Sequence, residues 1–264
     1  MMKMTEENKY ILGMIKELKK EHPFWGYRRI WAYLRYIKGY KINKKRIYHL
    51  MKRENLLVTK NTRLKAKRRK APYRSKPKPV KPNQIWGIDM TKILIQGEGW
   101  VYFQVILDWF TKKIVGYSLS HTSKTIDWLN ALNSAINNQF PLGIKDTLKN
   151  NALFLVSDNG SQPTSLRFIK ACKELCIKQI FTSYNNPKGN ADTERVIRTL
   201  KEDLIWTREF TSFGELEQAL ERWIHNYNTV YPHSSLNYKT PLQFEEDYYK
   251  LKSFNITKIQ QIFS

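Results

Sequence analysis

The sequence predicts an α/β protein, a mixed sheet flanked by helices, preceded by a small helical domain of helix-turn-helix type. Three observations predict it. Between positions 84 and 206, three β-rich stretches are followed by helix, strand, helix, strand and a long helix, an order that builds a mixed sheet with helices on its faces. Residues 5–58 instead repeat their apolar side chains at helical spacing. The charge divides along the same line: residues 1–82 hold 26 Lys/Arg against 5 Asp/Glu, while residues 83–264 hold 20 against 18. At 264 residues the chain exceeds the usual single-domain size, so one main core with appendages is expected. A hydrophobic content of 41% with eight Trp excludes a disordered polymer.

The net charge of +23 sits almost wholly in the first third, as an electrostatic foot for a polyanion. Nucleic acid fits such a foot, and an anionic membrane surface competes with it. No apolar run approaches the ~20 residues of a spanning helix, and "MMKMTEENKY" is no basic-then-apolar leader, so an intracellular, cytoplasmic protein is expected.

In residues 1–58, Trp25, Ile30, Trp31 and Leu34 recur at helical spacing, and Asn43 is placed to cap a second helix that buries Ile47, Leu50 and Met51. The turn "YIKGYKIN" separates the two. Arg28 and Arg29 on the first helix, and Lys44, Lys45 and Arg46 at the start of the second, are the expected DNA contacts, since the second helix of such a motif enters a major groove. A helical hairpin with solvated cations gives the same pattern. Residues 59–83 then form a basic, proline-containing linker. Residues 59–82 hold eleven cations, among them Lys67, Arg68, Arg69 and Lys70, with four prolines and no acid, a composition suited to tracking phosphates or to passive spacing.

Residues 84–230 are expected to form the core and 231–264 a C-terminal tail. "QIWGIDMTKILI", "WVYFQVILDWF" and "KKIVGYSLS" read as strands, with turns at Gly97–Gly99 and Asp108–Lys113. A helix begun by Ser123 follows, then the buried strand of "ALFLVSDNG", the helix "SLRFIKACKEL", the strand "KQIFTS", the loop "YNNPKGN" and a helix from Ala191 to Trp206. Cys172 and Cys176, four apart, are expected to share a buried helix face, and with no second pair they make no zinc site. The five histidines form no ligand pattern. Asp108 is assigned to its turn.

Alternation in "IWGIDMT" sets Trp86, Ile88 and Met90 on one face and Ile85, Gly87, Asp89 and Thr91 on the other. Asp158 directly follows an apolar strand, where an Asx-turn is the plain alternative. On the last helix Glu194, Arg198 and Lys201 fall within about 60° of one another, apart from the apolar Val196, Ile197, Leu200 and Leu204. An ordinary Glu194–Arg198 ion pair would also explain the first two. Three carboxylates in this order can hold two hard divalent cations, Mg²⁺ or Mn²⁺, in the arrangement used for in-line phosphoryl chemistry. Arg198, Lys201 and Lys188 would then grip flanking phosphates.

These motifs resemble those of bacterial transposases of the "insertion sequence three" family, second-reading-frame product, which share a catalytic core with retroviral integrases. "FWGYRRIWAYL" with "KRIYHLM" is similar to the family's helix-turn-helix, "IWGIDMT" to its first catalytic strand, "LVSDNGSQ" to its second aspartate and "NPKGNADTERVIRTLKED" to its glutamate segment. Thirty-five residues separate Asp158 from Glu194, and Lys201 lies seven after the glutamate. The resemblance covers nearly the whole chain and departs at Tyr231, where many relatives carry Arg.

The resemblance implies a ribonuclease-H-like core and DNA strand cleavage and transfer at element ends. It makes Asp89, Asp158 and Glu194 catalytic metal ligands and Lys201 a terminal-DNA contact. Asn159 and Gly160 would shape the loop after Asp158, and Gly189 and Asn190 the approach to the last catalytic helix. It also implies terminal inverted repeats and target DNA as partners, a homo-oligomer on DNA, and an upstream-frame DNA-binding product as fusion or helper. A nuclease of the same fold, or a non-catalytic DNA-binding protein, are the competing functions.

Overall fold

The computed structural model describes residues 5–58, 77–144, 152–182 and 189–262, with side chains to residue 253. Among these, α1 (Glu6–Glu21), α2 (Tyr27–Ala32, continued as a π turn Tyr33–Ile37) and α3 (Lys44–Arg53) form the helical unit. Thr5 caps α1 and Asn43 caps α3, its Oδ1 accepting the Lys45 N–H at 2.8 Å. Ile47, Leu50 and Met51 are buried as the spacing predicts.

The sheet unit comprises β1 (Ile85–Ile95), β2 (Gly99–Asp108), β3 (Ile114–Ser120), α4 (Thr125–Gln139), β4 (Leu153–Ser157), α5 (Leu166–Glu174), β5 (Ile177–Phe181), α6 (Ala191–Leu200, continued as a π turn Lys201–Ile205), α7 (Phe213–Thr229) and α8 (Pro241–Ile262). The five strands run in the order β3-β2-β1-β4-β5. β1 to β3 form an antiparallel meander, and β4 and β5 lie parallel to β1, so β1 is central. This is the expected mixed sheet.

Each face of the sheet has its own apolar layer. Trp86, Ile88, Ile106 and Leu155 pack against Trp128, Leu132 and Ala135 of α4 and Phe168 of α5. On the opposite face Ile85, Phe103, Val105 and Trp109 meet Val196, Ile197 and Leu200 of α6 and Leu220 and Trp223 of α7. That second cluster continues without a break into Trp25, Ile30, Leu34 and Leu50, so the helical unit shares a core with the sheet unit. Beyond residue 230 the chain is more than a tail: Tyr231 and Leu236 are buried, and α8 docks through Glu245 on Lys113 at 2.5 Å and through Phe244 and Tyr248 on Phe110. Among the described residues no helix is long and apolar enough to cross a membrane.

Three local expectations are corrected. Lys124, one residue after Ser123, caps α4, because the Asp127 carboxylate accepts the Lys124 N–H at 2.7 Å. Cys176 does not share the buried face of Cys172: α5 ends at Glu174, Cys176 turns to φ 58° and its side chain is exposed. The helix expected from Ala191 to Trp206 is regular only to Leu200 and widens into the π turn beyond it.

Candidate active site

Asp89 lies on β1, on the face covered by α6. The β1–β4 register pairs Gly87 with Val156, and carried two residues further it brings Asp158 level with Asp89. Asp158 stands just past the end of β4, where the strand yields to the loop; its Oδ1 accepts the Gly160 N–H at 3.0 Å, the Asx-turn that the sequence left open. Thr164 Oγ1 donates to Gly160 O at 2.7 Å, and Asn159 Nδ2 donates to Thr182 O at 2.5 Å, so both supporting residues shape this loop.

Glu194 reaches the site because the start of α6 is pinned to the sheet. Asn190 Nδ2 donates to Ile88 O at 3.0 Å, one peptide before Asp89. Trp109 Nε1 donates to Thr193 Oγ1 at 3.2 Å. Lys112 Nζ, held by Trp109 O at 2.7 Å, pairs with Asp192 Oδ2 at 2.9 Å. The approach needs a glycine in the strand: a Cβ at Gly87 would fall well under 3.0 Å from Thr193 Oγ1 and Trp109 Nε1, and 2.7 Å from Asn190 Oδ1. Gly189 stands in the turn that leads into α6. Trp109, Lys112 and Thr193 were missed by sequence reasoning. The lone glycine inside an apolar strand was the signal that another element packs closely on it, here through the side chains of Thr193, Trp109 and Asn190.

Asp89 stands in the field of the other two carboxylates. Asp89 is half-buried, and its pKa is pushed from 3.8 up to about 7, chiefly by burial and further by the charges of Asp158 and Glu194; the Met90 N–H and Lys201 act in the opposite direction. Asp158 and Glu194 are exposed. Among the described residues no three acidic, histidine or cysteine side chains stand at the spacing of a formed metal site. Backbone bonds orient two of the carboxylates: Met90 N–H donates to Asp89 Oδ1 at 2.8 Å, and Gly160 N–H to Asp158 Oδ1. As donors the set fits a hard divalent cation: all three are carboxylates, and Asp89 is raised chiefly by burial and further by its neighbours' charge.

Of the cations on this stripe, Lys201 faces Asp89 closely enough to lower its pKa. Arg198 pairs forward with Glu202 at 2.8 Å and not back to Glu194 as the ion-pair alternative held. In the helical unit, Lys44 and Lys45 are exposed, with Lys44 Nζ 5.1 Å from the Trp31 ring centroid. Arg28 is exposed beside the Tyr27 hydroxyl at 3.1 Å. Arg46 instead ties α3 to α1, donating to Asn8 Oδ1 and Glu7 Oε1, each at 2.8 Å. Arg29 is half-buried with its guanidinium 4.3 Å over the Tyr231 ring, which takes it from the expected DNA surface into the interior. Lys67, Arg68, Arg69, Lys70 and Lys188 lie outside the described residues.

The chain is similar to known proteins in sequence and in fold. An HTH-like domain model matches residues 6–69, and integrase core domain models match residues 79–187 and 175–241. The transposase for insertion sequence element IS904 of Lactococcus lactis is 31% identical over 255 residues, covering 92% of this chain and 96% of the relative. The chain belongs to the insertion-sequence transposases. The putative transposase InsK for insertion sequence element IS150 of Escherichia coli is 27% identical, over 85% of this chain and 78% of that one. A chain of the simian T-cell lymphotropic virus intasome, solved by cryo-EM in complex with PP2A regulatory subunit B56 gamma, aligns with a TM-score of 0.53 at 17% identity, over 81% of this transposase and 73% of that chain. That likeness is one of fold, the ribonuclease-H-like core. The transposase therefore acts in DNA transposition through an integrase-type core, as a polynucleotidyl transferase.

Proposed function

We propose that Asp89, Asp158 and Glu194 are the catalytic carboxylates of this transposase and the ligands of two divalent metal ions, Mg²⁺ or Mn²⁺. The reading is carried by one observation: α6 is pinned over β1 at Gly87, which brings Glu194 into the field of Asp89, while the β1–β4 register brings Asp158 level with it. Such ions, when bound, neutralise charge on a reacting phosphodiester and activate its attacking hydroxyl.

The chain's own residues do the rest. Asp89 is held in place by a central strand. Asn190, Thr193 and Asp192 fix the start of the helix that carries Glu194. Lys201 neutralises a phosphate beside Asp89, and Lys44 and Lys45 engage a groove of the terminal inverted repeat. Water attacks first and frees a DNA 3′-hydroxyl, which then attacks target DNA in line with no covalent protein intermediate. Two ends must meet, so the active form is a homo-oligomer on DNA. An upstream-frame DNA-binding product joins it as fusion or helper.

The test is strand transfer on duplexes carrying the element's ends, with Mg²⁺, for wild type and Asp158→Ala. A loss of on the order of 100-fold or more is expected for removal of a ligand group. Undiminished joining by the variant would overturn the assignment, and cutting without joining by the wild type would make the chain a nuclease.

A further inference from the structure

Between Leu236 and Lys239 the chain reverses in a turn whose two central residues, Asn237 and Tyr238, both stand in the left-handed region, at φ 54° and 65°. Lys239 N–H closes it by donating to Leu236 O at 3.1 Å, the hydrogen bond of a type I′ turn. Such turns favour Asn followed by Gly, because a Cβ crowds the backbone at positive φ, and a bulky side chain there is an outlier. Asn237 fits this preference, whereas Tyr238 stands in the place of the glycine. Its surroundings hold it there: Tyr238 N–H donates to His233 O at 2.8 Å, His233 N–H to Lys239 O at 3.1 Å, and Lys239 Nζ pairs with Asp247 of α8 at 2.6 Å. A strained residue kept in place by its neighbours points to a use for its side chain.

That side chain leaves the sheet unit and lies on the helical unit. Its ring meets Trp31 of α2 edge-to-face at 5.4 Å and lies 18° from parallel to Tyr36 at 6.3 Å. Trp31 and Tyr36 meet each other edge-to-face at 5.6 Å, and the Trp31 indole is fixed by donating to Ile42 O at 2.9 Å. Lys44, the first residue of α3, places its Nζ 5.1 Å from the Trp31 ring centroid, and the Arg35 guanidinium stands 5.9 Å from that of Tyr36. Three separate parts of the chain thus build one aromatic surface beside the start of α3. Its charge selects the partner: residues 22–53 contain no Asp or Glu, and Arg35, Lys38, Lys41, Lys44 and Lys45 are exposed. Tyr36 is 52% exposed and Tyr238 half-buried, and neither phenol hydroxyl makes a hydrogen bond among the described residues. A tyrosine hydroxyl on a cationic surface is a donor suited to a phosphate oxygen.

We propose that Tyr238 is a DNA-binding residue, its hydroxyl donating to a backbone phosphate of the terminal inverted repeat beside the groove that α3 enters. The segment beyond residue 230 therefore completes the DNA face of the helical unit. This rests on the reading of α3 as the groove-engaging helix. A ring that only fastened the two units together would need no hydroxyl, and the test turns on that difference.

The full chain is compared as wild type, Tyr238→Phe and Lys44→Ala, by anisotropy titration of a labelled duplex carrying the element's end at several salt concentrations, and by thermal melting. Tyr238→Phe keeps the ring contacts and the turn, so it should melt with the wild type and bind the end duplex about 10-fold more weakly, as for a lost hydrogen bond to a charged group. The log–log salt slope should stay at the wild-type value, because a neutral phenol releases no counterion. Wild-type affinity in Tyr238→Phe overturns the proposal, and so does a weaker affinity that comes with a lower melting temperature, the mark of a structural hydroxyl. With Tyr238 replaced by p-azidophenylalanine, illumination should crosslink the chain to the end duplex; crosslinks confined to the protein overturn the proposal equally. Lys44→Ala reports separately on the reading of α3: a slope reduced by about 1 supports it, and an unchanged slope removes it whatever Tyr238→Phe does.

Discussion

Gly87→Ala tests the packing that places Glu194. The added methyl would overlap Thr193 Oγ1 and Trp109 Nε1 and stand 2.7 Å from Asn190 Oδ1, where ordinary contact begins at 3.4 Å. All three belong to rigid surroundings: Trp109 is 1% exposed, Thr193 is fully buried, and Asn190 is bonded to the strand itself. The start of α6 must therefore retreat. Overpacking of this kind costs about 1–3 kcal/mol. Loss of the Trp109–Thr193 and Asn190–Ile88 hydrogen bonds adds roughly 1 kcal/mol each. A total of about 3–5 kcal/mol corresponds to a Tm lower by roughly 6–20 °C in a unit of this size, read by thermal unfolding with circular dichroism. A retreat of about 1 Å also takes Glu194 away from Asp89, and strand transfer should fall on the order of 100-fold below the melting transition. A Gly87→Ala protein that melts within about 2 °C of wild type and joins DNA normally would refute the wedge.

Three further outcomes follow from the same contacts. Asp89 keeps a proton in the folded chain between pH 3.8 and about 7 that the unfolded chain has released, so its contribution to stability is lost as pH rises through that window. In chelator at pH 8, Asp89→Asn should raise stability by on the order of 2–4 kcal/mol, with little effect near pH 3.5, and an equal gain at both pH values would contradict the shared field of the acids. Lys45→Ala should reduce the salt slope of DNA binding by about 1, whereas Arg46→Ala should leave the slope alone and cost roughly 1–2 kcal/mol in urea unfolding; the reverse pattern would exchange their roles. Asp108→Ala removes an acceptor that serves Asn83 N at 2.6 Å, Phe110 N at 2.8 Å, Thr111 N at 2.7 Å and Thr111 Oγ1 at 3.0 Å, and should cost about 3–5 kcal/mol by the same assay, a loss under about 1 kcal/mol counting against its turn role.

Much of the sheet was legible because its signals are local. Alternation along "IWGIDMT" sorted Trp86 and Ile88 from Gly87 and Asp89, and the structure assigns them to opposite faces. Asn43 and the Asp108 turn were legible for the same reason, a short polar side chain bonding to nearby backbone. What escaped is long-range. The Trp109–Thr193 bond spans 84 positions and the Lys113–Glu245 bond 132, and nothing in either neighbourhood names the partner. Arg29 and Arg46 looked like groove contacts because cations on a short helix usually face water. Their removal inward depends on Tyr231, Glu7 and Asn8, which only the fold brings near. The π turn after Leu200 was equally hidden, since Lys201 to Ile205 continue an ordinary helical pattern.

The stripe of Glu194, Arg198 and Lys201 separates into different tasks once its neighbours are known. Arg198, two-thirds exposed, is paired to Glu202 at the surface, where such a bridge contributes little and is readily exchanged for a phosphate. Lys201 is half-buried and acts on Asp89, so replacing it should disturb the site even without DNA. The charges of Asp158 and Glu194 act on Asp89, and Glu194 is kept near it because the start of α6 is pinned by Asn190, Thr193 and Asp192 and β1 is central in the sheet. A fold that holds like charges together in this way is destabilised at neutral pH and gains from any divalent cation that binds them. Mg²⁺ should therefore raise the Tm of the wild type at pH 8 by more than that of Asp89→Asn, and an equal rise in both would mean the ion binds elsewhere.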